Sequence, residues 1–176
     1  MPAALYMALS RSLLLAEARC THSPRAVLTN VNRLLMEMGS SGYVSVFYGV
    51  VERTTRRLAY TRAGHDRPLL LHRETVQPLG GKGSALGVLD DIEQHLSEEE
   101  IHLAPGDRLV LYTDGLTDAL TPDGEFYGLD RLESLFQSYA CLTLGEMCAA
   151  TFRELTAHKG SAEQFDGMTM LVLEVK

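Results

Sequence analysis

Gly106-Asp107-Arg108-Leu109-Val110-Leu111-Tyr112-Thr113-Asp114-Gly115-Leu116-Thr117-Asp118 joins a turn, a strand and the carboxylates Asp114 and Asp118 in one uninterrupted run. Residues 108–113 have the apolar, β-rich composition of a buried strand, and Asp114-Gly115 stops it abruptly. An acid at the end of a core strand gains little from packing. It is well placed to hold a hard cation, because carboxylate oxygens are the ligands that Mg²⁺ and Mn²⁺ prefer. Gly115 would let the backbone pass close to such a site, and Asp118 lies near enough to lean toward it. The plain alternative is a turn Asp followed by a turn Gly, which describes most Asp-Gly pairs. The rest of the chain has to decide between them.

Upstream of this run, residues 92–103 read as a long bulged strand whose Glu98-Glu99-Glu100 cluster faces solvent. Before it, Gly80, Gly81, Gly83 and Gly87 fit neither a P-loop nor a dinucleotide turn, so they read as a flexible connection. Residues 68–72 and 76–79 form a hairpin across Arg73-Glu74, and residues 43–52 and 58–62 form another across Thr54-Thr55. The 43–52 strand is apolar on both faces, which predicts cover by a sheet on one side and a helix on the other. His65-Asp66, in the Gly64 turn, has the form of a base with an orienting carboxylate, but a His in such a turn is commonly a structural hydrogen-bonder.

Nearer the N-terminus, Ser23-Pro24 starts a helix as N-cap and first residue, with Val27, Val31, Leu34, Leu35 and Met38 on one stripe and Gly39 as its end. Residues 2–18, with Pro2 in the first turn, read as an apolar and largely buried helix. Downstream of Asp118, 121–124 is a turn and 129–139 a short helix with Leu132, Leu135 and Phe136 inward. Thr143 and Glu146 make a capping box for a helix to about residue 158, with Met147, Thr151, Phe152 and Leu155 on its buried side. Asp166-Gly167 then precedes an alternating terminal strand, 168–175.

A chain of 176 residues with 45% hydrophobic content suits one domain, 1–176. The formal net charge of -7 and pI near 5.3 argue against a nucleic-acid surface or an anionic-membrane anchor. No apolar run is long enough for a membrane span, and the opening residues lack the basic start of a signal peptide. Cys20, Cys141 and Cys148 show no metal spacing, and Cys141 and Cys148 read as buried free thiols in a reducing cytoplasm.

The run GDRLVLYTDGLTDA at 106–119 resembles the GD-x-L-x-LYTDG-[LVI]-TEA signature of one bacterial branch of the metal-dependent protein phosphatase 2C superfamily. That branch is named after sporulation stage II protein E, and Asp118 stands where Glu is usual. MPAAL at 1–5, AGHDRPLLL at 63–71 and QFDGMTMLVL at 164–173 agree in the same order. The resemblance implies an α+β, four-layer α-β-β-α sandwich of two antiparallel sheets flanked by helices. It implies Asp114 and Asp166 as ligands of Mn²⁺ or Mg²⁺, Asp118 as a weaker accessory ligand, and Gly115 and Gly167 as backbone beside the site. The AGHNPP motif of the family reads AGHDRP here, and Gly167 stands where Asp or Asn is common.

The activity so implied is serine/threonine protein phosphatase, with metal-activated water attacking phosphoserine or phosphothreonine. The implied partner is a phosphorylated regulatory protein of the anti-sigma-factor antagonist type. In the family, MPAAL follows a D-[VI]-S-G-[HK]-G run that the 176 residues do not contain, so the resemblance also implies a domain incomplete at its N-terminus and lacking its first strands. Weak activity, an open sheet edge and homodimers follow as expectations. The alternative function is a non-catalytic phosphatase-like binding module in a signalling pathway.

Overall fold

The computed structural model describes residues 3–39 and 42–176. Its helices are α1 (Ala3–Glu17), α2 (Pro24–Glu37), α3 (Leu129–Ser138) and α4 (Leu144–Lys159). Its strands are β1 (Val46–Glu52), β2 (Arg57–Ala63), β3 (Leu69–His72), β4 (Thr75–Pro78), β5 (Glu99–His102), β6 (Arg108–Tyr112) and β7 (Met170–Glu174). They form two antiparallel sheets with flanking helices, the α+β class expected from sequence. The chain divides into two compact units: the part up to His65 with Gly80–Leu103, and Asp66–Leu79 with Ala104–Lys176.

In the first unit the sheet order is β1-β2-β5. The core is centred on α2, whose Val27, Leu28, Val31 and Leu35 are fully or almost fully buried beside Ala63, Leu86, Ile92 and Leu96. Ser23 caps the helix by accepting from Ala26 N, as its sequence predicts. Met38, placed on the buried stripe from sequence, is exposed beyond the last turn.

Helix α1 departs from expectation. Tyr6 and Ser10 are buried, but Leu5, Met7 and Leu15 are exposed by half or more. A helix that is apolar all round has one face to lay on α2, and the remaining apolar residues are left outside. Pro2, assigned to its first turn, lies outside the described residues. Strand β1 also differs: it is an edge strand, half-buried to exposed along its length, rather than covered on both faces.

Residues 92–103 are not one bulged strand. A 3₁₀ turn, Ile92–His95, comes first and β5 follows. Ile92 and Leu96 are both buried, and their four-residue spacing suits a helical turn and not a strand's alternation. The acids on this stretch have specific partners as well as solvent: Glu98 accepts from Ser23 Oγ at 2.6 Å and Arg25 N at 2.9 Å. The glycine-rich stretch is pinned rather than loose. Gly64 N donates to the Gly83 carbonyl at 3.0 Å, and a Cβ on Gly83 would overlap the Arg62 carbonyl.

In the second unit the order is β4-β3-β6-β7, and β6 pairs antiparallel with both neighbours. Leu109, Val110 and Tyr112 of β6 are buried, as the apolar run predicts. Val110 and Tyr112 join Leu69, Leu71, Leu116, Phe136, Met147 and Leu155 in one core, so α3 and α4 pack on the sheet through Phe136, Met147 and Leu155. The Thr143–Glu146 capping box starts α4. Phe152 is about one-third exposed, and Ala150 takes the buried position expected for it. Cys20 and Cys141 are exposed and Cys148 is half-buried, which corrects the buried-thiol reading; none is disulfide-bonded. Cys141 sits between α3 and α4, where no helix face carries it inward.

Candidate functional site

The site is built where β6 and β7 end together in the second unit. Tyr112 pairs with Met170 at the last rung of the ladder. One residue further, Thr113 N donates to the Thr169 carbonyl at 3.1 Å. The Thr113 hydroxyl accepts from Thr169 N at 3.0 Å and donates to the Gly167 carbonyl at 2.9 Å. A side chain thus continues the strand pairing past the point where backbone bonding stops. Asp114 follows Thr113 directly and Asp166 precedes Gly167, so both acids belong to this end of the β6–β7 pair.

Gly115 presses against the same turn. A Cβ on it would lie 2.5 Å from the Gly167 carbonyl oxygen and 2.9 Å from its carbon, closer than side-chain carbons approach backbone. Only glycine lets the two strand ends come this near. Past Gly115 the chain makes a small hairpin, in which Tyr127 N donates to the Ala119 carbonyl and Gly128 N to the Thr117 carbonyl, each at 2.9 Å. Asp118 is held at its start: Asp118 N donates to the Asp114 carbonyl at 2.8 Å, and Thr117 Oγ1 bonds Asp118 Oδ1 at 3.2 Å.

A cleft of about 300 Å³ opens beside this junction. Gly115 and Met168 form part of its wall, the hairpin contributes Asp118, Leu120 and Phe126, and the α4–β7 connection contributes Lys159, Glu163, Phe165 and Asp166. Asp114 is not among its lining residues. The carboxylates of Asp114, Asp118 and Asp166 are all on exposed residues. Asp166 Oδ1 accepts from Gly167 N at 2.6 Å, which orients that group locally.

The oxygen donors are of the kind a hard divalent cation takes. Among the described residues, however, no group of three or more His, Cys, Asp or Glu side chains converges on one point. A cation bound here would complete its shell with other oxygens, from water or a bound phosphate. Beneath the site, burial pushes the Tyr112 hydroxyl up to about 12, and the carboxylates of Asp66 and Glu133 add to the shift. Tyr112 stays neutral through the ordinary pH range and is a packing residue here.

His65, weighed as a catalytic base, is part of the turn that ends β2, and its carbonyl accepts from Arg62 Nη1 at 2.7 Å. A second pair is made by the fold. His72 Nδ1 lies 2.6 Å from Asp107 Oδ1, and Asp107, buried to 3% exposure, also accepts from Ala104 N at 2.8 Å. It braces the turn that feeds β6. The residue types were visible, but the β3–β6 register that brings them together was not.

The sequence matches, over residues 1–176, the family described as stage II sporulation protein E, SpoIIE. The chain belongs to the SpoIIE family. It is 32% identical over 133 residues to Protein IcfG of Synechocystis sp., an alignment that covers 74% of this chain and 20% of that protein. It is 27% identical over an alignment of 178 residues to the phosphoserine phosphatase RsbU of Bacillus subtilis, which covers 99% of this chain and 52% of RsbU. The SpoIIE-family chain thus spans about half or less of these relatives' lengths. Among solved structures, the SiaA-PP2C domain of Pseudomonas aeruginosa superposes with a TM-score of 0.88 at 25% identity, over 100% of this chain and 71% of that one. The likeness extends to two antiparallel sheets with flanking helices, so the fold read from the motifs is the fold of the family.

Proposed function

We propose that this chain is a serine/threonine protein phosphatase domain that hydrolyses phosphoserine or phosphothreonine on a regulatory protein of the anti-sigma-factor antagonist type. The observation that carries the reading is the junction of β6 and β7, where Thr113 and Gly115 draw the Asp114 and Asp166 segments together beside Asp118. Acids at one strand-pair end repel unless a cation lies among them. Asp114 and Asp166, with Asp118 as accessory, would hold Mn²⁺ or Mg²⁺. Such a cation supplies a nucleophilic water at neutral pH and charge stabilisation for the phosphoryl group. Gly115 keeps side-chain bulk out of the site, and the Asp166 carboxylate is pre-oriented by Gly167 N. The likeness to a phosphoserine phosphatase supports the choice of substrate class.

A second reading, a phosphatase-like binding module without turnover, is favoured by one observation: among the described residues no three ligating side chains converge. The two readings separate in one assay. Hydrolysis of p-nitrophenyl phosphate is followed across a manganese titration for the 176-residue chain and for a chain extended upstream to carry the family's D-[VI]-S-G-[HK]-G run. We expect weak activity in the first and strong metal-dependent activity in the second, abolished by Asp114→Asn or Asp166→Asn. Activity undiminished in Asp114→Asn removes the central residue of the reading, and an inactive extended chain favours the binding module.

The setting proposed with this function is the cytoplasm, where exposed thiols such as Cys20 and Cys141 stay reduced. Among the described residues no helix is long and apolar enough to cross a membrane. The exposed β1 edge, with Val51 46% exposed, is the surface proposed to pair two copies. Light scattering should then show dimers that Val51→Lys dissociates; a monomer at every concentration counts against pairing.

A further inference from the structure

The cleft beside Asp118 and Asp166 carries two aromatic rings that phosphate hydrolysis itself does not use. Phe126 and Phe165 both line it, and they are 59% and 80% exposed. Single exposed apolar residues are ordinary, but two exposed aromatic rings lining one cleft form a patch of the kind that receives a partner. Phe126 stands on the hairpin's returning limb, where it bridges Leu120, and Phe165 stands on the connection from α4 to β7. The charges on the walls are uneven. Asp118, Glu163 and Asp166 line the cleft with three carboxylates, and Lys159 is the one cation among the described residues that line it. Lys159 Nζ is already bonded to the Ala162 carbonyl at 3.0 Å, so it holds the turn of its own wall.

We propose that this cleft selects the protein substrate by receiving an apolar residue next to the phosphorylated serine or threonine, with Phe126 and Phe165 as the specificity-determining contacts. The inference rests on the phosphatase reading of the adjoining acids. A protein substrate presented at Asp166 must run its neighbouring residues over whatever adjoins that acid, and this cleft adjoins it. The rings offer an apolar seat there, and a charged neighbour of the phosphoserine would lose hydration against them, so an apolar residue is preferred to an acidic one. The cleft volume of about 300 Å³ is enough for one aliphatic side chain with its backbone.

The test uses two fluorescent phosphoserine peptides, identical except that leucine or aspartate flanks the phosphoserine on both sides. Binding to the 176-residue chain with manganese is measured by fluorescence anisotropy. The leucine peptide should bind about tenfold or more tightly than the aspartate peptide. Phe165→Ala and Phe126→Ala should each erase most of that preference, while Phe165→Leu should retain it. Both rings are exposed, so the variants should fold, and circular dichroism checks that they do. Equal binding of the two peptides, no binding of either, or an undiminished preference in the double alanine variant overturns the proposal. Because anisotropy needs no turnover, a ring-dependent preference found beside an inactive extended chain would overturn the phosphatase reading and leave the recognition cleft standing.

Discussion

The unit centred on α2 and the unit centred on β6 spend their surface differently. In the first, apolar side chains are left exposed on α1 and β1, including Leu5, Met7, Leu15 and Val51. In the second, an interior strand is bonded between β3 and β7; Leu171 and Leu173 of β7 are exposed as well, but carboxylates and rings gather at the strand end around one cleft. Charged groups that must act together need a frame whose own positions do not drift. A strand bonded on both sides, with Phe136, Met147 and Leu155 packed against its sheet, is such a frame; a half-exposed helix is not.

The largest effect should come from removing that frame. Phe136→Ala empties a fully buried position and should cost about 3–5 kcal/mol in denaturant unfolding. Leu15→Ala, on the exposed face of α1, should cost within about 0.5 kcal/mol. Comparable losses would erase the contrast between the units.

A smaller but more local effect is expected at Gly115. An added methyl must push back the Gly167 carbonyl, at a cost of about 1–3 kcal/mol. Manganese-dependent activity of the extended chain should fall far more than stability does, because the displaced backbone carries Asp166. Gly124→Ala should leave activity alone, since nothing lies within 4 Å of its added carbon, although its positive φ costs some stability. Full activity in Gly115→Ala would show that the close approach has no role at the site.

The smallest effect is a titration. Tyr112 holds its proton in the fold to about pH 12, while an unfolded tyrosine loses it near 10. The folded state therefore binds more protons in that window, and stability should fall as pH rises from about 10 to about 12. Tyr60 in the first unit is shifted the same way, by burial and then by Glu99. Ultraviolet titration should find the most alkaline phenol gone in Tyr112→Phe and retained in Tyr60→Phe. The reverse result would place the drier tyrosine in the first unit.

Signals carried by a few neighbouring residues were legible. Ser23-Pro24 announced α2, Thr143 and Glu146 announced α4, and the 108–113 run announced a core strand, because caps and periodicity act within a turn or two of chain. The order of four motifs was enough to recognise the family. Four things needed the fold: which face of α1 finds a neighbour, that Ile92 and Leu96 turn inward as a pair, that Gly83 must clear the Arg62 carbonyl, and that His72 meets Asp107. Each depends on the register or packing of segments far apart in sequence, and the amino acids of either segment alone do not encode it. The acids are the clearest case. The sequence by itself determined that Asp114 ends a core strand and that Asp166 stands before another; the tertiary structure decided, through Thr113 and the bare backbone of Gly115, that the two strand ends lie together.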